Sequence, residues 1–188
     1  MQTDIIIAGF GGQGVLFAGQ ILAYAGMDAG YIVTWIPSYG PEMRGGTANC
    51  TVIISDEEIG SPLVRNPKAA IVLNLPSLEK YEPMIASGGV LVANASLVNR
   101  GAKRNDIDSV FVPTNEIAET LGDRRLINMV AVGALLTLLP VLTVEQIEKA
   151  LEIHMPDRHK RLLPANFKAL EKGAEFAKKE AVLKATVS

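Results

Sequence analysis

The sequence is poor in metal-binding residues. It contains a single cysteine, Cys50, and only two histidines, His154 and His159, among 188 residues. One thiol cannot form an internal disulfide, and so few Cys and His side chains offer no ligand set for zinc or an iron–sulfur cluster. We therefore predict no metal site in this chain. Cys50 lies in an apolar strand segment, where we expect a buried and unreactive side chain.

Neither a strong charge nor a long apolar run is present. The 18 Lys and Arg residues nearly balance the 20 Asp and Glu residues, and the net charge of −2 gives no field that would attract nucleic acid. The most apolar stretch, residues 126–139, is shorter than the roughly 20 residues that a membrane-spanning helix needs. The first residues do not resemble a basic, apolar leader. We expect a soluble cytoplasmic protein that binds neither nucleic acid nor membrane.

Short apolar runs alternate with segments of helical spacing. The runs at 4–8, 69–73 and 90–93 are typical of buried parallel strands. This alternation predicts an α/β fold with a mostly parallel sheet and helices on both faces. After a second strand at 31–36, residues 47–55 again have strand character, and here we expect a hairpin or strand extension rather than a helical crossover.

The second half of the chain is expected to be largely helical. The stripe in 126–139 indicates a core helix, and Thr143 and Gln146 have the spacing of a capping box for the next helix. The basic run around the two histidines indicates a solvated or partner-facing surface rather than a catalytic site. We predict one domain over 1–188, with a core of about 3–152. A C-terminal amphipathic helix at about 157–183 would lie on the surface or dock on a partner.

A glycine-rich turn lies between the first predicted strand and the first predicted helix, in the order Gly9-Phe10-Gly11-Gly12-Gln13-Gly14. Glycines at such a turn let a ligand's phosphates approach the backbone, and the following helix offers unpaired N–H groups. The Gln13 amide would add a neutral donor or acceptor. The alternative is that these glycines only allow close packing of helix on strand.

Two features expected of a nucleotide site are missing. No carboxylate stands at the end of the second strand, Thr34-Trp35-Ile36-Pro37-Ser38, where a dinucleotide fold holds the NAD ribose. Ser38 and Arg44 would suit a 2′-phosphate instead, so NADP stays open. No Gly-Lys-Ser/Thr follows the glycines, which excludes a P-loop.

A second loop follows the second strand and opens on the same edge of the predicted sheet. It reads Ser38-Tyr39-Gly40-Pro41-Glu42-Met43-Arg44-Gly45-Gly46. Ligands of open α/β sheets bind at this edge, so the two loops can face one ligand. Arg44 is suited to a phosphate or carboxylate. Glu42 either contacts a ligand or pairs with Arg44 to hold the loop.

These two loops, together with Asn128-Met129-Val130-Ala131-Val132-Gly133-Ala134-Leu135, resemble the gamma subunit of 2-oxoacid:ferredoxin oxidoreductases that act on pyruvate, 2-oxoglutarate or branched-chain 2-oxoacids. The similarity spans roughly residues 3–180. It implies an α/β fold and a place in a complex that converts a 2-oxoacid and coenzyme A to acyl-CoA and carbon dioxide. Ferredoxin would accept the electrons.

The resemblance also implies that the cofactors are held by other subunits. Thiamine diphosphate, Mg²⁺ and iron–sulfur clusters would reside on alpha, beta and possibly delta (ferredoxin-like) subunits. This chain would bind coenzyme A, cover the active site and hold no catalytic residue. The coenzyme-facing or partner-facing residues would be those of the two loops and Asn128: Gly9, Gly11, Gly12, Gln13, Gly14, Ser38, Tyr39, Gly40, Glu42, Arg44, Gly45, Gly46 and Asn128. Asn128 would bridge a ligand, cap its helix or serve in packing.

Three alternatives stay open at this point. The indolepyruvate oxidoreductase beta subunit is similar in these motifs. A free-standing oxidoreductase that binds NADP or another nucleotide would also use the glycine turn. A structural module whose glycine turn contacts only a neighbouring subunit would show the same composition.

Overall fold

A computed structural model describes residues 1–38 and 47–187. Strands and helices follow one another as the sequence predicts, with these bounds: β1 Gln2–Phe10, α1 Val15–Asp28, β2 Ile32–Ser38, β3 Thr47–Ser55, β4 Ala69–Val72, α2 Leu75–Tyr81, β5 Val90–Asn94, β6 Asp108–Val112, α3 Thr114–Thr120, α4 Ile127–Leu138, α5 Val144–His154 and α6 Leu163–Val187. Three 3-10 segments, Glu82–Met84, Arg124–Leu126 and Asp157–Leu162, join some of them.

The strands form one sheet in the order β2-β3-β1-β4-β5-β6. Strand β1 pairs parallel with β4, and parallel pairing continues through β5 to β6. Strand β3 runs antiparallel to both β1 and β2. The expected hairpin after the second strand is therefore confirmed. Strands β1 and β2, which the helix α1 connects, run parallel but are not adjacent, because β3 lies between them.

Helices cover both faces of the sheet, which confirms the predicted fold class. Alternate strand residues such as Ile5, Ile7 and Val52 point into a large apolar core with α1, α4, α5 and α6. The intervening residues, such as Ile6 and Ala8, pack with α2 in a second, smaller core. The connections after β1 and β4 thus leave the sheet toward opposite faces.

Helix α4 is the centre of the larger core. Met129, Val132 and Leu135 are fully buried, so the apolar stripe serves packing, as predicted. The 3-10 turn Arg124–Leu126 comes directly before α4, so the α-helix begins at Ile127. In the part of the chain that the structure describes, no helix is long and apolar enough to cross a membrane.

Helix α6 is amphipathic, as predicted, and its apolar face packs on α4. Ala169, Leu170 and Ala177 are buried in that contact. The two helices approach closely at Gly133 and Gly173. A Cβ atom at either glycine would lie less than 3.0 Å from a carbonyl oxygen of the other helix. The buried face of α6 therefore packs closely on α4.

Candidate functional site

The glycine turn lies at the carboxyl edge of the sheet, between β1 and α1, as the sequence predicts. Gly12 and Gly14 adopt φ values of +93° and +73°, a region that other L-residues rarely enter. Gly14 is the N-cap of α1 and has no side chain to cap it. The first N–H groups of the helix are therefore not capped by a side chain at this position.

Gln13 is bonded within the protein. Its Oε1 accepts a hydrogen bond from the Phe10 N–H at 2.6 Å, and its Nε2 donates to the Leu73 carbonyl oxygen at 3.2 Å. Leu73 follows β4 directly. The side chain thus ties the glycine turn to the end of the neighbouring strand. Gln13 was predicted as a ligand contact, and both ends of its amide are hydrogen-bonded within the protein.

This bridge crosses the position where a dinucleotide usually binds. Ligands of open α/β sheets lie where neighbouring connections leave toward opposite faces, which here is the gap between β1 and β4. The Gln13 side chain occupies this gap. A Cβ atom at Gly9 would lie 2.5 Å from Gln13 Oε1 and 2.9 Å from Leu73 Cβ. This close packing accounts for a glycine at position 9.

Asn128 also contacts the glycine turn. Its Nδ2 donates to the Gly14 carbonyl oxygen at 3.1 Å, and its Oδ1 accepts from the Met129 N–H at 2.8 Å. The residue is buried. Among the roles predicted for Asn128, the structure shows the structural one, because it fastens the first turn of α4 to the start of α1.

A cavity of about 440 Å³ lies beside the turn. It is lined by Gly12 and Gly14 together with residues of α1, the Arg124–Leu126 turn, the end of α5 and the Asp157–Leu162 segment. The volume is in the usual range for a small-molecule site, about 300–1,000 Å³. Its apolar lining consists of Phe17, Ile21, Leu126, Met155, Pro156 and Leu162.

Basic side chains line the same cavity. The Arg125 guanidinium donates three hydrogen bonds to the Asp123 carboxylate: from Nε to Oδ1 at 2.9 Å, from Nε to Oδ2 at 3.1 Å, and from Nη2 to Oδ2 at 2.6 Å. This pairing lowers the pKa of Asp123 and raises the pKa of Arg125. Arg158 donates from Nε to His159 Nε2 at 3.1 Å. The cavity therefore combines an apolar interior with guanidinium and imidazole groups, a combination suited to an anionic ligand that carries a ring.

The wall formed by α1 and α5 is held by a pair of rings. Tyr24 and His154 stack with their centroids 4.1 Å apart and their planes inclined by 10°. His154 Nε2 also lies 2.9 Å from Asp28 Oδ2. Both rings line the cavity. The basic run is exposed at Arg158 and His159, in agreement with the predicted surface. The sequence did not show that the packing of α5 on α1 places this run beside the glycine turn.

The structure describes only the ends of the second loop. Ser38 pairs with Asn49, which pairs with Ala8, and Thr47 pairs with Phe10. The loop therefore leaves and rejoins the sheet at the edge that carries the glycine turn, as predicted. The remaining site residues predicted in it, Tyr39, Gly40, Glu42, Arg44, Gly45 and Gly46, lie outside the described residues.

The described residues offer neither a cluster of metal-binding side chains nor an ionised thiol. Residues 1–38 and 47–187 contain no group of three or more His, Cys, Asp or Glu side chains placed to hold a metal ion. Cys50 is fully buried, and burial raises the pKa of its thiol to about 11. The thiol is therefore protonated at neutral pH, which confirms the expectation of an unreactive side chain.

Comparisons with known sequences agree on one family. The family model for pyruvate ferredoxin/flavodoxin oxidoreductase matches residues 4–176. The ketoisovalerate oxidoreductase subunit VorA of Methanothermobacter thermautotrophicus is 39% identical over 180 residues, which cover 94% of this chain but only 37% of VorA. The 2-oxoglutarate synthase subunit KorC of Methanocaldococcus jannaschii is 35% identical over 181 residues, 95% of either chain. The chain thus spans little more than a third of VorA and nearly all of KorC.

The indolepyruvate alternative receives less support from these comparisons. The indolepyruvate oxidoreductase subunit IorB of Archaeoglobus fulgidus is 28% identical over 194 residues, which cover 92% of this chain and 94% of IorB. This identity is lower than the values for VorA and KorC.

Solved structures share the fold. The gamma subunit of keto/oxoacid ferredoxin oxidoreductase from Geobacter sulfurreducens PCA matches with a TM-score of 0.83 and 30% identity, over 95% of this chain and 98% of that one. The 2-oxoglutarate:ferredoxin oxidoreductase from Magnetococcus marinus matches with a TM-score of 0.84 and 24% identity, over 95% and 31%. From the family model, the KorC match and the gamma-subunit structure together, we conclude that the chain belongs to the pyruvate ferredoxin/flavodoxin oxidoreductase family, as a domain of the gamma-subunit type.

Proposed function

We propose that this chain binds coenzyme A and closes the active site in a 2-oxoacid:ferredoxin oxidoreductase complex. The complex oxidatively decarboxylates a 2-oxoacid, transfers the acyl group to coenzyme A, and passes the electrons to ferredoxin. The chain supplies a binding surface and an assembly surface, and the catalytic groups come from its partners.

The observation that carries this proposal is the cavity beside Gly12 and Gly14. Coenzyme A is a large anion that carries a purine ring, several phosphate groups and a flexible thiol arm. The cavity offers an apolar interior for a ring and basic groups for phosphate at one edge of the sheet. The ends of the second loop lie at this edge too, so a ligand held here would be within reach of that loop.

The relatives support the same class of reaction. VorA and KorC are named as subunits of oxidoreductases for 2-oxoacids. The structure from Magnetococcus marinus, which has the same fold, is described with 2-oxoglutarate, coenzyme A and succinyl-CoA bound. The domain type therefore occurs in enzymes that handle coenzyme A thioesters.

The proposal assigns the remaining cofactors to other chains. Thiamine diphosphate, Mg²⁺ and iron–sulfur clusters would be held by alpha, beta and possibly delta (ferredoxin-like) subunits. The composition of this chain is consistent with that assignment, since one buried thiol cannot hold a cluster.

Calorimetric titration of the full chain with coenzyme A and, separately, with NADPH tests the binding function. We expect heat of binding with coenzyme A and none with NADPH. Tight NADPH binding without coenzyme A binding would instead favour a free-standing nucleotide-dependent enzyme. In the assembled complex, Arg44→Ala should raise the KM for coenzyme A, and an unchanged KM would remove the second loop from the ligand site.

A further inference from the structure

We infer that the cavity beside the glycine turn takes the 3′-phosphoadenosine end of coenzyme A, and that Arg158 together with His159 recognises the 3′-phosphate. This assignment rests on the proposed function and makes it specific. It predicts that the chain distinguishes coenzyme A from dephospho-coenzyme A, which differs only by that phosphate.

The size of the cavity selects one end of the ligand. A volume of about 440 Å³ suits a group the size of a nucleoside phosphate, whereas the whole of coenzyme A is larger. The apolar lining includes Phe17 on α1 and Leu126 and Met155 on the facing segments. These side chains would cover a purine ring, while the polar pantetheine arm extends outward toward the active site on a partner subunit.

The pairing of the basic groups selects the residue that binds phosphate. Arg125 is already engaged by Asp123 through three hydrogen bonds of its guanidinium. Among the described residues no carboxylate pairs with Arg158, and its only hydrogen bond goes from Nε to His159 Nε2. Its two Nη groups are therefore available, and a guanidinium with free N–H groups binds phosphate through paired hydrogen bonds.

The contact with Arg158 also determines which ring nitrogen of His159 can donate a hydrogen bond. Because His159 accepts a hydrogen bond at Nε2, a neutral ring carries its hydrogen on Nδ1. That N–H is a donor, so the two neighbouring residues form a donor pair. Both line the cavity, as do Gly12 and Gly14. A terminal phosphate has the acceptor oxygens to satisfy such a pair.

Parallel titrations of the full chain with coenzyme A and with dephospho-coenzyme A test the inference. We expect wild type to bind coenzyme A about 10–100-fold more tightly, as charge-assisted hydrogen bonds would produce. Arg158→Gln should abolish this preference by weakening coenzyme A binding alone, and Arg158→Lys should keep part of it. Arg161→Gln is the matched control, since Arg161 is exposed on the same segment and outside the cavity lining.

The outcomes separate the inference from the proposed function. Equal binding of the two ligands by wild type, or an equal loss of both in Arg158→Gln, would overturn the assignment of the 3′-phosphate while leaving coenzyme A binding intact. If neither ligand binds, the proposed function fails, and the inference fails with it. Circular dichroism of each variant checks that the chain remains folded.

Discussion

Asn128 Nδ2 donates a hydrogen bond to the carbonyl oxygen of Gly14 across 114 residues of sequence. The bond joins the N-terminal turn of α4 to the residue that begins α1, and both residues also line the cavity. The position of the cavity walls therefore depends on a contact within the protein. A substitution here should affect both stability and ligand binding.

For Asn128→Ala we expect a loss of about 1–2 kcal/mol in the free energy of unfolding, because the hydrogen bonds of its side chain to the Gly14 carbonyl oxygen and the Met129 N–H are lost. Binding of coenzyme A should weaken too, since the wall near Gly14 is no longer held. Urea denaturation and calorimetry measure the two effects. Asn105→Ala, an exposed asparagine, is the control and should change neither. Unchanged stability of Asn128→Ala would contradict a structural role.

Gln13→Ala should lower the free energy of unfolding by about 1–2 kcal/mol, because it removes the hydrogen bonds to Phe10 and Leu73. Gln13→Glu keeps an acceptor for the Phe10 N–H but loses the donor to the Leu73 carbonyl oxygen, so it should also destabilise the chain. Thermal unfolding followed by circular dichroism is the measurement. Full stability in both variants, together with lost coenzyme A binding, would return Gln13 to the ligand site.

Gly133→Ala should be among the most damaging small substitutions in the chain. The added methyl would meet the Leu170 carbonyl oxygen on α6, and backbone atoms cannot move aside as a flexible side chain would. Overpacking of this kind costs about 1–3 kcal/mol, and sometimes more. Gly101→Ala is the control, because nothing lies within 4 Å of a Cβ there. A shift in the urea midpoint for Gly133→Ala but not for Gly101→Ala is the expected result.

The ion pair between Glu82 and Arg100, 2.8 Å from Oε2 to Nη2, should make stability depend on pH. Burial alone would raise the pKa of Glu82, but the hydrogen bonds from Arg100 and from the Lys103 and Arg104 N–H groups outweigh it. The net effect lowers the pKa below its ordinary value of 4.5. The ionised carboxylate therefore contributes stability above about pH 4.5, and this contribution is lost as the pH falls through the lower, folded-state pKa.

Glu82→Gln tests this dependence by unfolding at several pH values. At pH 7 we expect a loss of about 3 kcal/mol, since removal of one partner leaves a mostly buried Arg100 unpaired. The difference from wild type should shrink as the pH falls through the lowered pKa of Glu82, because the wild-type carboxylate itself then becomes protonated. The exposed Glu79→Gln is the control. A difference that stays constant with pH would show that the charge of Glu82 is not responsible.

The purified chain alone should not turn over a 2-oxoacid. This follows from the proposed function, in which the catalytic groups come from partner subunits. Viologen reduction with pyruvate, 2-oxoglutarate or 2-oxoisovalerate and coenzyme A measures this, with the assembled complex as positive control. Turnover by the isolated chain would show that the catalytic groups do not come from partner subunits.

Local features of the sequence determined most of the secondary structure. The glycine turn, the apolar runs and the capping box of Thr143 with Gln146 each act over a few residues, and each has its predicted form in the structure. The two loop motifs also indicated the family. Such features can be read from the sequence because they depend on backbone conformation and on near neighbours along the chain.

The tertiary structure decided what the site residues do. Gln13 and Asn128 carry amides suited to a ligand, yet Leu73 and Gly14 occupy them, and these partners lie 60 and 114 residues away. Arg158 and His159 looked like surface charge, and packing of α5 against α1 brought their segment to the glycine turn. Sequence alone therefore determined the fold class and the edge of the sheet that carries the glycine turn and the ends of the second loop. Only the folded chain decided which polar groups are hydrogen-bonded within the protein, because that depends on partners distant in sequence.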